Sequence, residues 1–208
     1  MLFRSPAAIP GKIEAENYDL GGNRVSFYDK SSANEGGFYR KDAVDIVALD
    51  SADLSKGYAI GHTNEGEWLE YTVNVAKTAT YAVELLMATA SEKAGVQLFI
   101  DNKAVSDTIY AKQGEDWSNY SAVQSKLGEI AAGEHIIKMQ IVGNYVNIDN
   151  LRFCEGEKCE ETVGIRASRE ITPARTLGKT SPRLRIQNNK LFVEKNGLRF
   201  DLTGHRIK

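Results

Sequence analysis

From Glu67 to Val75 the chain reads EWLEYTVNV, with Leu69, Tyr71, Val73 and Val75 on one parity and Glu70, Thr72 and Asn74 on the other. A period of two marks a strand with one face in a core and the other in water. Runs of the same character at Val25 to Tyr28, Val44 to Ala48, Tyr81 to Met87, Val96 to Ile100, Tyr120 to Gln124, His135 to Val142 and Val146 to Phe153 predict further strands. Turn-forming pairs separate them: Gly21-Gly22, Gly36-Gly37, Asp101-Asn102 and Ala132-Gly133. No stretch carries an apolar stripe of helical period with caps at both ends. Eight or more short strands without intervening helices predict an all-β fold, a two-sheet β-sandwich of the jelly-roll kind.

The pattern fails beyond Cys159. Residues 160–183 mix Thr, Arg, Ser, Gly and two prolines without periodicity and read as a linker. From Leu184 onward alternation returns, and Asn196-Gly197 between Leu191-Phe192-Val193 and Leu198-Arg199-Phe200 signals a β-hairpin. The expected organisation is an N-terminal extension over 1–10, a sandwich over 11–159, the linker over 160–183, and a small basic C-terminal β-hairpin module over 184–208.

Charge sharpens this division. Residues 1–164 hold 15 Lys and Arg against 25 Asp and Glu, whereas residues 165–208 hold 11 against 3. An acidic body repels phosphate backbones, and the tail's cations are spread out with few aromatics between them, so no nucleic-acid partner is expected. No window approaches the roughly 20 apolar residues of a membrane span. The opening ten residues lack the apolar core of a signal peptide. Cys154 and Cys159 are the only cysteines. With no further Cys or His beside them, zinc lacks half its ligands. A small disulfide loop in an oxidising, extracytoplasmic compartment and a pair of inert thiols both remain open.

Catalytic signatures are absent. His62, His135 and His205 show no metal spacing, and there is no Gly-x-Ser-x-Gly elbow, phosphate loop or dinucleotide turn. Glu67 and Glu70, three apart in one strand, point to opposite faces and cannot form the facing pair of a glycosidase. Glu14 and Glu16, two apart in a strand, are expected to share a face, with Asp149 on another strand as their companion. Such carboxylates repel unless a cation joins them, and calcium suits three hard oxygen donors; solvated surface acids are the competing reading. Trp117 lies in the polar run Gly114-Glu115-Asp116-Trp117-Ser118-Asn119-Tyr120. An exposed ring there is a stacking platform for the apolar face of a sugar, with the amides of Asn144, Asn147 and Asn150 as hydroxyl partners. A partly buried packing role for Trp117, and ordinary turn chemistry for the asparagines, stay open.

Ile13-Glu14-Ala15-Glu16-Asn17-Tyr18, Tyr39-Arg40, Val44-Asp45-Ile46, Gly57-Tyr58, Gly66 through Val75, Trp117, Gly133-Glu134-His135 and Asn147-Ile148-Asp149-Asn150, in this order, resemble a family 6 carbohydrate-binding module over about residues 11–154. The resemblance implies a non-catalytic β-jelly roll that binds polysaccharide, tethered to a secreted enzyme that degrades plant or algal walls. It implies a structural calcium held by Glu14, Glu16 and Asp149. It further implies a sugar site in the loops at one end of the sandwich, where Trp117 and Asn147 match an aromatic wall and a hydroxyl-binding amide.

The second aromatic position of that site is a departure, since His62 stands in Gly61-His62-Thr63-Asn64-Glu65-Gly66. Tyr39 and Glu35 are expected as additional contacts. Xylan or a β-glucan is the first expectation for the ligand. The tail from Leu184 resembles a short basic module at the C-termini of secreted fibre-degrading bacterial proteins, implying secretion, surface attachment or adhesion; set against the missing signal peptide, this implies that Met1 begins a fragment of a longer enzyme. A small β-sandwich glycoside hydrolase or polysaccharide lyase, and a protein-adhesion module, are the alternatives.

Overall fold

A computed structural model describes residues 5–160 in full and the backbone of 183–187, 190–195, 198–200 and 206–207. The chain divides into two compact units, Met1–Thr162 and Val163–Lys208. The first contains thirteen strands: β1 (Ala7–Ile9), β2 (Gly11–Glu14), β3 (Phe27–Tyr28), β4 (Ile46–Ala48), β5 (Tyr58–Ile60), β6 (Trp68–Val75), β7 (Ala79–Ala88), β8 (Gly95–Ile100), β9 (Lys103–Ala104), β10 (Ile109–Tyr110), β11 (Ser121–Ile130), β12 (Gly133–Val142) and β13 (Asn147–Glu155). One sheet runs β1-β6-β12-β8-β10, with β3 on β6 and β9 on β8. The other runs β11-β7-β13-β5-β4, with β2 on β13. Among the described residues, two single-turn 3-10 segments, Ala15–Asn17 and Leu54–Lys56, interrupt the β-structure. The unit is an all-β two-sheet sandwich.

The alternation in β6 explains its place. Leu69, Tyr71, Val73 and Val75 are buried in the core while Asn74 is exposed. Leu85 and Met87 of β7, Leu98 of β8, Met139 of β12 and Leu151 of β13 meet them with no exposed surface. Closing apolar faces from two sheets on each other is the main driving force of such a fold.

The start of the chain differs from expectation. Ala7–Ile9, read as part of an extension, pairs in parallel with Val73–Val75, so the sheet begins before residue 11. A three-residue run is too short to show alternation, and its strand state is set by the neighbouring β6 rather than by local pattern.

The tail also differs. Its strands β14 (Arg183–Gln187), β15 (Lys190–Lys195), β16 (Leu198–Phe200) and β17 (Arg206–Ile207) form a four-stranded antiparallel sheet rather than a lone hairpin. Lys195 pairs with Leu198 across the expected turn. Asn196-Gly197 and the linker residues 161–182 lie outside the described residues.

Candidate functional site

Five loops and strand ends meet at one end of the second sheet. There Ala88 of β7 pairs with Asn147 of β13, Met87 pairs with Ser121 of β11, and Ile60 closes β5. The side chains gathered around this end, Val47, His62, Trp117, Tyr145 and Asn147, line a cleft of about 360 Å³. Four of the five carry rings or branched aliphatic groups, and none is a carboxylate, Lys or Arg.

The Trp117 loop is shaped by its polar neighbours. Asp116 Oδ1 accepts from Ser118 N and Ser118 Oγ, both at 2.7 Å, an Asx turn that also holds the Asp116 carboxyl below its usual range. The loop is anchored at its start, where Gly114 N donates to Thr89 O at 2.8 Å. Trp117 is 47% exposed. Its indole N–H donates to Tyr145 O at 3.0 Å, and its carbonyl accepts from Asn147 Nδ2 at 3.0 Å. The ring is therefore held in place and half exposed.

Asn147 is held on the Trp117 loop by its amide nitrogen. Nearby, burial pushes the Tyr120 hydroxyl up to about 12, with Asn147 opposing the shift. Gly61 leaves room for Asn147: a Cβ there would come within 3.1 Å of Asn147 Oδ1 and 3.0 Å of Val47. With the nitrogen committed to Trp117, Asn147 Oδ1 is the atom of this amide left to accept a further hydrogen bond.

His62 follows Gly61 on the β5–β6 loop, exposed and with φ 48°. That loop is joined to the β12–β13 loop by Thr63. Thr63 Oγ1 donates to Val146 O and accepts from Val146 N, both at 2.9 Å, while Thr63 O accepts from Tyr145 N at 2.7 Å. Asn144 Oδ1 adds a bond from Glu65 N at 2.9 Å.

Not every expected contact is brought to the cleft. Tyr39 donates to Asn17 Oδ1 at 2.6 Å and packs its ring at 5.0 Å from Tyr58, and it is not among the residues lining the cleft. Glu35 is exposed and outside the lining, and its backbone N–H donates to Asp45 Oδ1 at 2.5 Å. Asn144 is spent on Glu65 N, and Asn150 donates to Asp149 Oδ2 at 2.9 Å. Of the three asparagines only Asn147 lines the cleft. Sequence reading missed Val47 and Tyr145. Tyr145 follows Gly143-Asn144, and an aromatic in turn sequence is the same signal that singled out Trp117.

The acidic group is placed differently from its derivation. β2 ends at Glu14 and a 3-10 turn carries Glu16, so the two are not strand neighbours on one face. They are nevertheless within electrostatic reach of each other and of Asp149, which occupies an irregularity in the β7–β13 register beside the Glu14–Asn150 pair. Burial, reinforced by Glu14 and Asp149, pushes the Glu16 carboxyl up to about 7, and its Oε2 is buried with no hydrogen-bond partner. Burial and then Glu14 raise Asp149 as well. Lys12 Nζ lies 2.5 Å from Glu14 Oε1, and among the described residues no three acids, His or Cys converge into a ready metal-binding group. Glu16 Oε2 is thus an orphaned buried carboxylate oxygen beside two further acids, while Glu14 is engaged by Lys12 and the three do not form a closed metal-binding group.

Cys154 and Cys159 form a disulfide that closes the turn after β13. Gln124 bonds both backbone groups of Cys159, at 3.0 and 2.9 Å. Among the described residues no helix is long and apolar enough to cross a membrane.

Comparison with known proteins adds the following. The family described as Carbohydrate binding module (family 6) matches residues 38–155. No curated protein matches the chain. Among solved structures, one from Clostridium stercorarium in complex with cellobiose is 22% identical, with a TM-score of 0.55 over 73% of this chain and 98% of that one. A β-1,3-glucan-binding module from Bacillus halodurans is 14% identical, with a TM-score of 0.53 over 72% and 98%. A module from Clostridium cellulolyticum in complex with xylose is 16% identical, with a TM-score of 0.51 over 71% and 99%. At these identities the likeness is one of fold.

Proposed function

Because the chain belongs to family 6 of the carbohydrate binding modules, we propose that its body binds a plant-wall type polysaccharide, xylan or a β-glucan, at the cleft beside Trp117. The family is one of binding modules without catalysis. The observation that carries the reading is Trp117 itself, a half-exposed residue whose indole N–H is held by Tyr145 O and whose backbone carbonyl takes Asn147 Nδ2, in a largely apolar cleft with Asn147 Oδ1 beside it. An indole face stacks on the C–H face of a pyranose, and the amide oxygen takes a hydroxyl. The lining offers no pair of carboxylates, which favours retention of a glycan over its hydrolysis. Solved modules of this fold with cellobiose, with xylose and with β-1,3-glucan specificity support the ligand class. One stacked sugar and few hydrogen bonds correspond to about −5 to −7 kcal/mol, sub-millimolar to ~10 μM.

On this reading the module directs an associated secreted enzyme to its substrate. The disulfide and the family's extracellular setting support an oxidising location. The basic tail serves secretion, surface attachment or adhesion, a role its charge and its separate four-stranded sheet support. Glu14, Glu16 and Asp149 hold a structural calcium ion, supported by the orphaned Glu16 Oε2. The test is affinity electrophoresis of wild type and Trp117→Ala through gels containing xylan, barley β-glucan or laminarin. Retardation of the wild type with loss in the variant is the expected result. Equal retardation of a folded variant would place the binding elsewhere.

A further inference from the structure

The geometry points to Tyr145, not His62, as the second aromatic wall of the cleft, and to a neutral glycan as what the Trp117–Tyr145 pair accepts. This rests on the reading of the cleft as a glycan site.

Tyr145 is 51% exposed and holds φ 63°. A bulky aromatic residue in the left-handed region is an outlier that persists only where its surroundings over-determine it, and such residues gather at binding sites. Here they do over-determine it. Tyr145 N donates to Thr63 O at 2.7 Å, and Tyr145 O accepts from Thr89 Oγ1 at 2.7 Å and from Trp117 Nε1 at 3.0 Å. The last bond ties the backbone of one ring-bearing residue to the side chain of the other, so their relative placement is set before ligand arrives. Preorganisation of this kind lowers the ordering cost of binding. The ring pairs among the described residues are Tyr18–Phe27, Phe38–Tyr58 and Tyr39–Tyr58, so Trp117 and Tyr145 line one cleft without packing on each other. Both rings keep surface for a ligand. His62 offers a smaller and more polar ring, suited to a hydroxyl rather than to a stacked sugar face.

The same lining decides the ligand's charge. It holds no Lys or Arg to take a carboxylate, and the body around it carries an excess of acid. A polyuronate would lose its hydration without gaining a partner.

Titration calorimetry in calcium with xylohexaose, cellohexaose, laminarihexaose and oligogalacturonate tests this on wild type, Tyr145→Phe, Tyr145→Gly, His62→Ala and Trp117→Ala. Glycine accepts φ 63° without strain, so Tyr145→Gly removes the ring and keeps the turn. The expected result is binding of a neutral series with no heat from oligogalacturonate. Tyr145→Phe should stay near wild type, and Tyr145→Gly should lose on the order of tenfold in affinity. His62→Ala should lose less than Tyr145→Gly. If Trp117→Ala abolishes binding but Tyr145→Gly matches wild type, the second wall is not Tyr145, while the cleft reading stands. Preference for oligogalacturonate would overturn the charge argument. Silence of the wild type toward every glycan would overturn the cleft reading itself.

Discussion

Thr63 should matter to this protein far more than its size suggests. It is 2% exposed, and its hydroxyl serves Val146, itself fully buried, in both directions: donating to the carbonyl and accepting from the N–H, each at 2.9 Å. Thr63→Val keeps the shape and deletes both bonds. Two backbone groups then stay buried without partners, at about 1 to 3 kcal/mol for each, partly relieved by relaxation of the loop. A net loss of about 2 to 3 kcal/mol lowers the melting temperature of a unit this size by roughly 5 to 10 °C. Thr63→Ser is the control, because it keeps the hydroxyl and gives up one methyl at about 1 kcal/mol. Thermal denaturation of the three proteins in calcium, followed by far-UV circular dichroism, measures the effect. The seam also joins the loops of His62 and Tyr145, so glycan affinity should fall in Thr63→Val at temperatures where it is folded. A valine variant as stable as wild type, or a serine variant worse than the valine one, would refute the reasoning.

Two other expectations follow from buried acids. Chelation with EDTA should lower the melting temperature, because an ion bound only to the folded state stabilises it, and Glu16→Gln should shrink that response; differential scanning fluorimetry with and without calcium checks both. Asp45 is 2% exposed, and burial, reinforced by Asp29 and Glu35 and opposed by the Glu35 N–H and His62, pushes its carboxyl up to about 6. Since the folded pKa exceeds the unfolded one, the folded state binds the extra proton between about pH 4 and 6, and this group's contribution worsens as pH rises through that window. Asp45→Asn, which keeps an acceptor for Glu35 N, should therefore gain about 2 kcal/mol relative to wild type between pH 4 and pH 7 in urea denaturation, and a flat difference would contradict the assignment.

The body's architecture was legible where alternation was long. Trp68–Val75, Ala79–Ala88 and Gly133–Val142 each bury one parity, so their pattern carries the fold. Two- and three-residue strands such as Ala7–Ile9, Tyr58–Ile60 and Ile109–Tyr110 carry too few positions for a period to show, and their state is imposed by the strand they pair with. Trp117 and Asn147 could be found because large rings and amides stand out in turn sequence. Tyr145 was overlooked beside them, since its role depends on Thr63 and Thr89, 82 and 56 residues away in sequence. The Glu14–Glu16 relation was expected for the wrong reason: strand alternation does not operate across a 3-10 turn, and burial rather than a shared face is what sets Glu16 apart.

The central claim is that the cleft beside Trp117 retains a glycan and does not cleave it. Isothermal titration calorimetry of the wild type, in calcium, against xylo-, cello- and laminari-oligosaccharides tests it directly, with the same mixtures assayed afterwards for new reducing ends. Saturable heat from one neutral series, lost in Trp117→Ala and unaccompanied by new reducing ends, is the predicted result. New reducing ends in the mixture, or binding that survives in a folded Trp117→Ala variant, would contradict it.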